Sequence, residues 1–171
     1  MPDGMLTLNK LIKAIGQRES SGNFDAVSDG GAVGLLGIMP EDAMQGFRRN
    51  VPTVWDVASE IGFEPVDKSK QSAISLLKDP EVNMGIAVPY LVELMNKYGG
   101  DTQDVLTAYN AGTDKYDRSG LDPSKLDKPE QKTYAKDVAK DYFDIFGEEL
   151  PENLGVLVSP RPKSRPKGLL Q

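Results

Sequence analysis

The 171-residue sequence predicts a mostly α-helical domain followed by an extended tail. Apolar residues recur at three- and four-residue spacing through most of the chain, whereas the alternation typical of strands is scarce. Prolines and glycines stand mainly at the ends of these periodic stretches, where they start and stop helices. After Gly147 the periodicity ends and prolines become frequent. We therefore predict one domain at residues 6–147 and a proline-rich tail at residues 148–171.

The first predicted helix spans residues 8–20 and carries an acid where an apolar residue is expected. Leu11 and Ile15 lie on its core-facing side, and Glu19 continues the same stripe four residues after Ile15. Burial disfavours a charged carboxylate and raises its pKa, which is what a general acid requires near neutral pH. Periodicity alone is also compatible with a second interpretation, in which Glu19 simply ends the helix and contacts solvent or the backbone.

The remaining elements follow from their start and stop signals. Residues 21–37 form a glycine-rich loop, part of which can pair as a small hairpin. A polar connector at residues 113–128 shows little periodicity. The last helix, at residues 129–146, has Tyr134, Val138 and Ile145 on its inner face. Five other helices are predicted. Two of them begin at Pro40 and at Pro52–Thr53, and the other three span residues 69–78, 80–98 and 102–110.

The composition excludes several kinds of chemistry. The chain has neither cysteine nor histidine, which excludes disulfides, Cys–His nucleophiles, Ser–His–Asp triads and His-ligated metals. The net charge is −6, with +4 on residues 158–171 and −10 on the rest, so the body is not suited to binding nucleic acid through phosphates. We expect no membrane span, and the first ten residues do not look like a secretory signal.

Four sequence blocks together resemble the signature of the soluble (Slt) family of lytic transglycosylases, which has a lysozyme-like fold. They occur in the family's order and cover most of the chain, which makes the resemblance specific. The blocks are ESSGNFDAVS from Glu19 with GAVGLLGIMP from Gly31, Asp79-Pro80 with Asn83 and Tyr90-Leu91, AYNAG from Ala108, and EQKTY from Glu130.

This resemblance implies cleavage of the β-1,4 bond between N-acetylmuramic acid and N-acetylglucosamine in peptidoglycan. The family uses one catalytic carboxyl, which by position is Glu19. It protonates the glycosidic oxygen, then accepts the proton of the muramyl 6-hydroxyl as that oxygen closes a 1,6-anhydro ring, while the substrate's N-acetyl group stabilises the positive charge between the two steps. The reaction needs no metal and no cofactor.

Six further residues match family positions that bind the sugar or lie in or near the substrate groove. Met39 and Tyr134 are equally well interpreted as core residues, and Asn110 as a residue that caps a helix end. A tyrosine can stack on a sugar and hydrogen-bond as well, which favours a groove position for Tyr109. The six are Ser28, Met39, Tyr109, Asn110, Glu130 and Tyr134.

The main departure from the family pattern is Gly37, where the family normally has a glutamine that contacts the substrate. Two alternatives to a transglycosylase follow. A hydrolysing lysozyme of the goose type would need a second carboxylate to position water, and Asp25 or Asp29 could supply it. A structural virion or envelope protein could keep the fold and bind glycan without turnover, which the change at Gly37 would favour.

The site of action is expected to be the bacterial cell wall, reached from outside. Comparable domains occur in bacteriophage particles that open the wall during DNA ejection, so we expect a virion protein acting in the host periplasm. A cytoplasmic endolysin and a bacterial envelope enzyme are the alternatives. The basic tail could contact DNA, anionic wall polymers or another virion protein, or could be a solvated terminus.

Overall fold

The computed structural model describes residues 3–65 and 67–156, with side chains from residue 5 onward, and confirms a mostly helical chain. These residues form eight α-helices, one short 3₁₀-helix and no β-strand beyond isolated bridges. No helix in this part of the chain is long and apolar enough to cross a bilayer. The helices are α1 (Asp3–Ser20), α2 (Pro40–Gln45), α3 (Val54–Glu60), α4 (Lys70–Leu77), α5 (Pro80–Lys97), α6 (Thr102–Ala111), α7 (Thr113–Arg118) and α8 (Pro129–Phe146), with the 3₁₀-helix at Pro123–Lys125.

Three predicted helix ends are confirmed by their capping contacts, whereas α1 begins at Asp3, five residues before the predicted start at residue 8. Thr53 and Asp56 form a reciprocal capping box at the start of α3. The Asp79 carboxylate accepts hydrogen bonds from two backbone amides in the first turn of α5, whose first residue is Pro80. Gly147 ends α8 with φ = +70°, the left-handed conformation that glycine adopts without strain.

Helices α1 and α8 run antiparallel along one side of the core. Glu19 of α1 meets Tyr134 near the start of α8, and Lys10 meets Glu148 just beyond its end. Of the inner face predicted for α8, Tyr134 and Val138 are buried, but Ile145 is 44% exposed. The prediction for Ile145 is wrong because the rings of Tyr142 and Phe146, with centroids 5.1 Å apart, cover the core there instead.

The connector at residues 113–128 is more regular than predicted, since it contains α7 and the 3₁₀-helix. Its anchor is Tyr116, which is fully buried. The Tyr116 hydroxyl lies within hydrogen-bond distance of the Asp104 carboxylate (2.7 Å) and of the backbone carbonyl of Leu121 (3.0 Å). A helix of six residues with one buried side chain is too short to show a periodicity in the sequence.

The glycine-rich loop after α1 is fixed by one buried residue of α5, Asn83. Its side-chain oxygen accepts from the Leu36 amide (2.9 Å), and its amide nitrogen donates to the carbonyls of Val33 (3.0 Å) and Leu77 (2.9 Å). In place of a continuous hairpin, the loop has isolated bridges from Val33 to residues 27 and 38. Asn83 therefore holds the loop against α5 without a sheet.

Residues 148–156, which we call the C-terminal strap, pack against the helical body, although the sequence places them in the tail. Leu150 and Leu154 are buried, and the Leu154 amide donates to the Gly100 carbonyl (2.7 Å). The Thr102 hydroxyl at the start of α6 donates to the Pro151 carbonyl (2.5 Å). Two apolar residues in a polar, proline-containing stretch give no periodic signal. The basic part of the predicted tail lies outside the described residues.

Candidate active site

A groove of about 1110 Å³ lies between the glycine-rich loop with α2 on one side and the α6–α7 region on the other. The groove is lined by polar, charged and aromatic side chains. Six of the seven residues singled out from the sequence line it, namely Glu19, Ser28, Met39, Tyr109, Asn110 and Glu130. Tyr134 is not among the lining residues, but its hydroxyl contacts the carboxyl of Glu19.

Glu19 lies in the last turn of α1, between the loop and α8. The Tyr134 hydroxyl donates a hydrogen bond to its Oε1. The neighbouring Ser20 hydroxyl contacts the carbonyls of Gly16 (3.0 Å) and Leu35 (2.9 Å), which ties the loop to the helix end. The Glu19 carboxyl is therefore held from α8 by Tyr134, and the helix end that carries it is tied to the loop through Ser20.

Burial raises the pKa of Glu19 above its ordinary value of 4.5. The hydrogen bond from Tyr134 and the nearby positive charge of Arg18 act in the opposite direction but are smaller influences. Arg18 also forms a salt bridge with Asp141 of α8 (2.8 Å), and this negative charge weakens the effect of Arg18 on Glu19. The carboxyl of Glu19 therefore keeps its proton to higher pH than an exposed glutamate does.

The two tyrosines near Glu19 are neutral hydrogen-bond donors. Burial and the charge of Glu19 raise the pKa of both Tyr109 and Tyr134 well above the usual range for tyrosine. The Tyr109 hydroxyl donates to the Leu36 carbonyl (2.7 Å), so it fixes the loop from the α6 side. The ring of Tyr109 is therefore half-buried at the groove, while its hydroxyl is hydrogen-bonded to the loop.

The other predicted residues lie on different parts of the groove. The Ser28 hydroxyl accepts from the Ala32 amide (3.0 Å) at the loop rim, and Met39 immediately precedes α2. The Asn110 Oδ1 is buried and has no hydrogen-bond partner in the part of the chain that the structure describes. Glu130 is exposed at the start of α8.

Of the two acids considered for a hydrolytic mechanism, Asp29 lines the groove, whereas Asp25 is not among its lining residues. The groove also contains Asp42 of α2, which sequence reasoning did not select as a site residue. Burial raises the pKa of Asp42, as does the charge of the adjacent Glu41. The only sequence signal for Asp42 was its place in the first turn of a short helix, which is also common for acids that stabilise a helix dipole.

An aromatic row also lines the groove, and the sequence analysis did not select two of its members as site residues. The ring centroids of Phe47 and Tyr90 are 4.6 Å apart, and those of Tyr90 and Tyr109 are 5.7 Å apart. Tyr90 belongs to the Tyr90-Leu91 motif, so a signal existed for it. Phe47 lies in a segment between two helices without any motif, and nothing in the sequence singled it out.

A family model described as "Transglycosylase SLT domain" matches residues 7–132. A membrane-bound lytic murein transglycosylase C of Yersinia pestis (strain Pestoides F) is 37% identical over 109 residues, and so is that of Yersinia pseudotuberculosis (serotype O:1b). Each alignment covers 60% of this chain and 26% of the relative. The chain therefore spans about a quarter of the length of these relatives.

Two solved structures share the fold. The 70 kDa soluble lytic transglycosylase of Escherichia coli is 25% identical with a TM-score of 0.58, covering 84% of this chain and 23% of that one. An inactive mutant of the lytic transglycosylase Slt of Pseudomonas aeruginosa is 22% identical with a TM-score of 0.55, covering 85% and 23%. The fold class predicted from the sequence is confirmed by these two likenesses.

Proposed function

The chain belongs to the transglycosylase SLT domain family, and on this premise we propose that it is a peptidoglycan lytic transglycosylase. It cleaves the β-1,4 bond between N-acetylmuramic acid and N-acetylglucosamine and leaves 1,6-anhydromuramyl ends. The single observation that carries the proposal is the Glu19 carboxyl, whose pKa is raised by burial and which lines a groove open to a polymer. The catalytic domain is proposed to comprise residues 6–147 together with the C-terminal strap that packs against them.

In the first step Glu19 acts as the general acid. Its raised pKa keeps a proton available near neutral pH, and that proton passes to the glycosidic oxygen as the bond to the muramyl C1 breaks. The positive charge that develops at C1 is stabilised by the substrate's own N-acetyl group. Tyr134 holds Oε1 of Glu19, which orients the carboxyl during this transfer.

In the second step the Glu19 carboxylate acts as the base. It accepts the proton of the muramyl 6-hydroxyl while that oxygen forms a bond with C1, so the proton lost in the first step is restored to the carboxyl. The hydrogen bond from Tyr134 favours the ionised form between the two steps. Because the nucleophile belongs to the substrate, no second carboxylate is required to activate water.

The groove has features that suit a glycan strand. Aromatic rings pack against the apolar faces of sugars, and the half-buried rings of Phe47 and Tyr109, which flank the buried Tyr90, line the groove together with Glu19. We propose that Ser28, Asn110 and Glu130 bind sugar hydroxyl or N-acetyl groups along it. The unpaired Asn110 Oδ1 supports a polar ligand at that position, because a buried acceptor without a partner is costly. Met39 is proposed to line the same groove.

The test is digestion of purified peptidoglycan followed by mass spectrometry of the released muropeptides. Wild type should release anhydromuramyl ends, Glu19→Gln should release none, and Glu60→Gln, which changes an exposed glutamate of α3, should behave as wild type. Reducing muramyl ends would contradict the proposal and favour a lysozyme, with Asp29 as the first candidate to position water. No product from a folded wild type would favour a glycan-binding structural protein.

We further propose that the protein works in a bacteriophage particle and opens the host wall during DNA ejection, contacting other virion proteins through its basic tail. The support is that domains resembling this one occur in bacteriophage particles, and that the variant block from Met39 to Met44 and the acidic body fit such a role. Antibodies against the chain should label purified particles of the phage that encodes it. Detection only in cell lysates would favour an endolysin or a bacterial envelope enzyme.

A further inference from the structure

Gly37 lies directly against the Glu19 carboxyl. A β-carbon built on Gly37 would lie 2.5 Å from Oε2, 2.9 Å from Cδ and 3.1 Å from Cγ of Glu19. Atoms of neighbouring side chains do not approach each other that closely, and Gly37 also has φ = +63°, a conformation that suits glycine. The carboxyl therefore occupies the space into which any other side chain at position 37 would project.

The backbone around Gly37 is held too firmly to move away from such a side chain. Next to it, the Ile38 amide and carbonyl pair with Val33, and the Leu36 amide donates to the buried Asn83. The Tyr109 hydroxyl donates to the Leu36 carbonyl from another helix. The Glu19 carboxyl, in contrast, is the end of a flexible side chain, so it is the part that would move.

We propose that Gly37 is a positioning residue for Glu19, and the proposal rests on the function proposed above. The carboxyl is held between two contacts, with Tyr134 bonded to Oε1 and the bare backbone of Gly37 behind Oε2. The glycine thus lets the acid take a position that a glutamine side chain would block. Position 37 sets where the proton donor stands relative to the glycosidic oxygen.

If this proposal is correct, the glutamine that the family has at this position should lower the activity of this chain. If Gly37 were merely a lost substrate contact, Gly37→Gln would restore the contact and increase activity. If Gly37 makes room for the acid, both Gly37→Gln and Gly37→Ala displace the carboxyl. A displacement of about 1 Å in a reacting group can lower kcat about 100-fold. KM should change little, because the displaced group acts in the chemical step.

The experiment compares Gly37→Ala and Gly37→Gln with Gly99→Ala as the matched control. Gly99 has nearly the same conformation (φ = +62°), and a β-carbon there would meet nothing within 4 Å. Gly37→Ala and Gly99→Ala should therefore lower Tm by similar amounts. Only the two Gly37 variants should lose kcat on peptidoglycan, by about 100-fold, with KM within about twofold of wild type.

A second readout does not depend on activity. The pKa of the Glu19 carboxyl is measured by NMR on protein labelled at glutamate carboxyl carbons, with Glu19→Gln to assign the signal. Displacement from its buried place should lower the pKa of Glu19 toward its ordinary value in Gly37→Ala and leave it unchanged in Gly99→Ala.

An unchanged Glu19 pKa in Gly37→Ala would overturn the inference, as would a Gly37→Gln variant at least as active as wild type. A wild type that forms no anhydromuramyl product would instead overturn the proposed function, and the NMR comparison would still decide whether Gly37 positions the carboxyl.

Discussion

Replacing Asn83 with leucine should destabilise the protein strongly, although the two side chains are similar in size. Asn83 is fully buried and makes three hydrogen bonds, one to an amide and two to carbonyls of the chain. Leucine keeps the volume but can make none of them. The loop that carries Gly37 would lose its attachment to α5.

The magnitude follows from what each partner loses. The Leu36 amide would be left buried without an acceptor, at about 1–3 kcal/mol. Loss of the bonds to the Val33 and Leu77 carbonyls costs about 0.5–1.5 kcal/mol each, the net contribution of an ordinary hydrogen bond, and the Val33 carbonyl still accepts from the Ile38 amide (3.0 Å). Leucine favours the helix over asparagine by about 0.5 kcal/mol. We expect the free energy of unfolding to fall by about 3 kcal/mol.

The assay is urea denaturation of wild type, Asn83→Leu and Asn96→Leu. Asn96 is an exposed asparagine of the same helix, so its variant has the same change in helix propensity without the buried bonds. Asn83→Leu should unfold at clearly lower urea with an unchanged m-value, and Asn96→Leu should stay within about 0.5 kcal/mol of wild type. A difference between the two variants below about 1 kcal/mol would refute the role given to Asn83.

Three further predictions concern the carboxyl and the strap. The Tyr134 hydroxyl orients the Glu19 carboxyl and lowers its pKa, and Tyr134→Phe removes this hydroxyl. In this variant kcat should fall about tenfold, and the alkaline limb of the pH–activity profile should move to higher pH. Tyr142→Phe should change neither kcat nor the pH profile. Burial raises the pKa of Glu19 in the folded protein above its ordinary value of 4.5. The folded state therefore loses stability relative to the unfolded state as the pH rises from 4.5 through the folded pKa, because the buried carboxyl becomes charged. The gain in Tm of Glu19→Gln over wild type should therefore be larger at pH 7 than at pH 4, and an equal gain would contradict the burial argument. Truncation after Gly147 removes the two leucines buried in the C-terminal strap. Compared with a chain that ends at Val156, it should lower the free energy of unfolding, measured by urea denaturation, by about 3–5 kcal/mol.

The sequence predicted best those parts of the fold that are encoded locally. The helix starts at Thr53 and Pro80 were readable because a cap and a first-turn proline act over three or four residues. The stripe that ends in Glu19 was readable for the same reason, since helical periodicity places the residue on a known face. These signals need no knowledge of which element packs against which.

The remainder depends on contacts between segments that are distant in sequence. Periodicity could not show that Tyr134 meets Glu19, because the two residues are 115 positions apart. The strap was not foreseen because Leu150 and Leu154 gain their burial from the start of α6, not from a pattern of their own. The departure at Gly37 was visible, but its meaning needed the position of a carboxyl on another element.

The path of the C-terminal strap bears on how the protein can be joined to something else. The strap is fastened at Asp101 and Thr102, where α6 begins, whereas Asn110 and Ala111 at the other end of α6 line the groove. Ten helical residues separate these ends by about 15 Å. A tether, affinity handle or partner domain connected after Val156 is therefore joined through a segment that is fastened at the end of α6 away from the groove, so immobilisation there should leave the groove accessible.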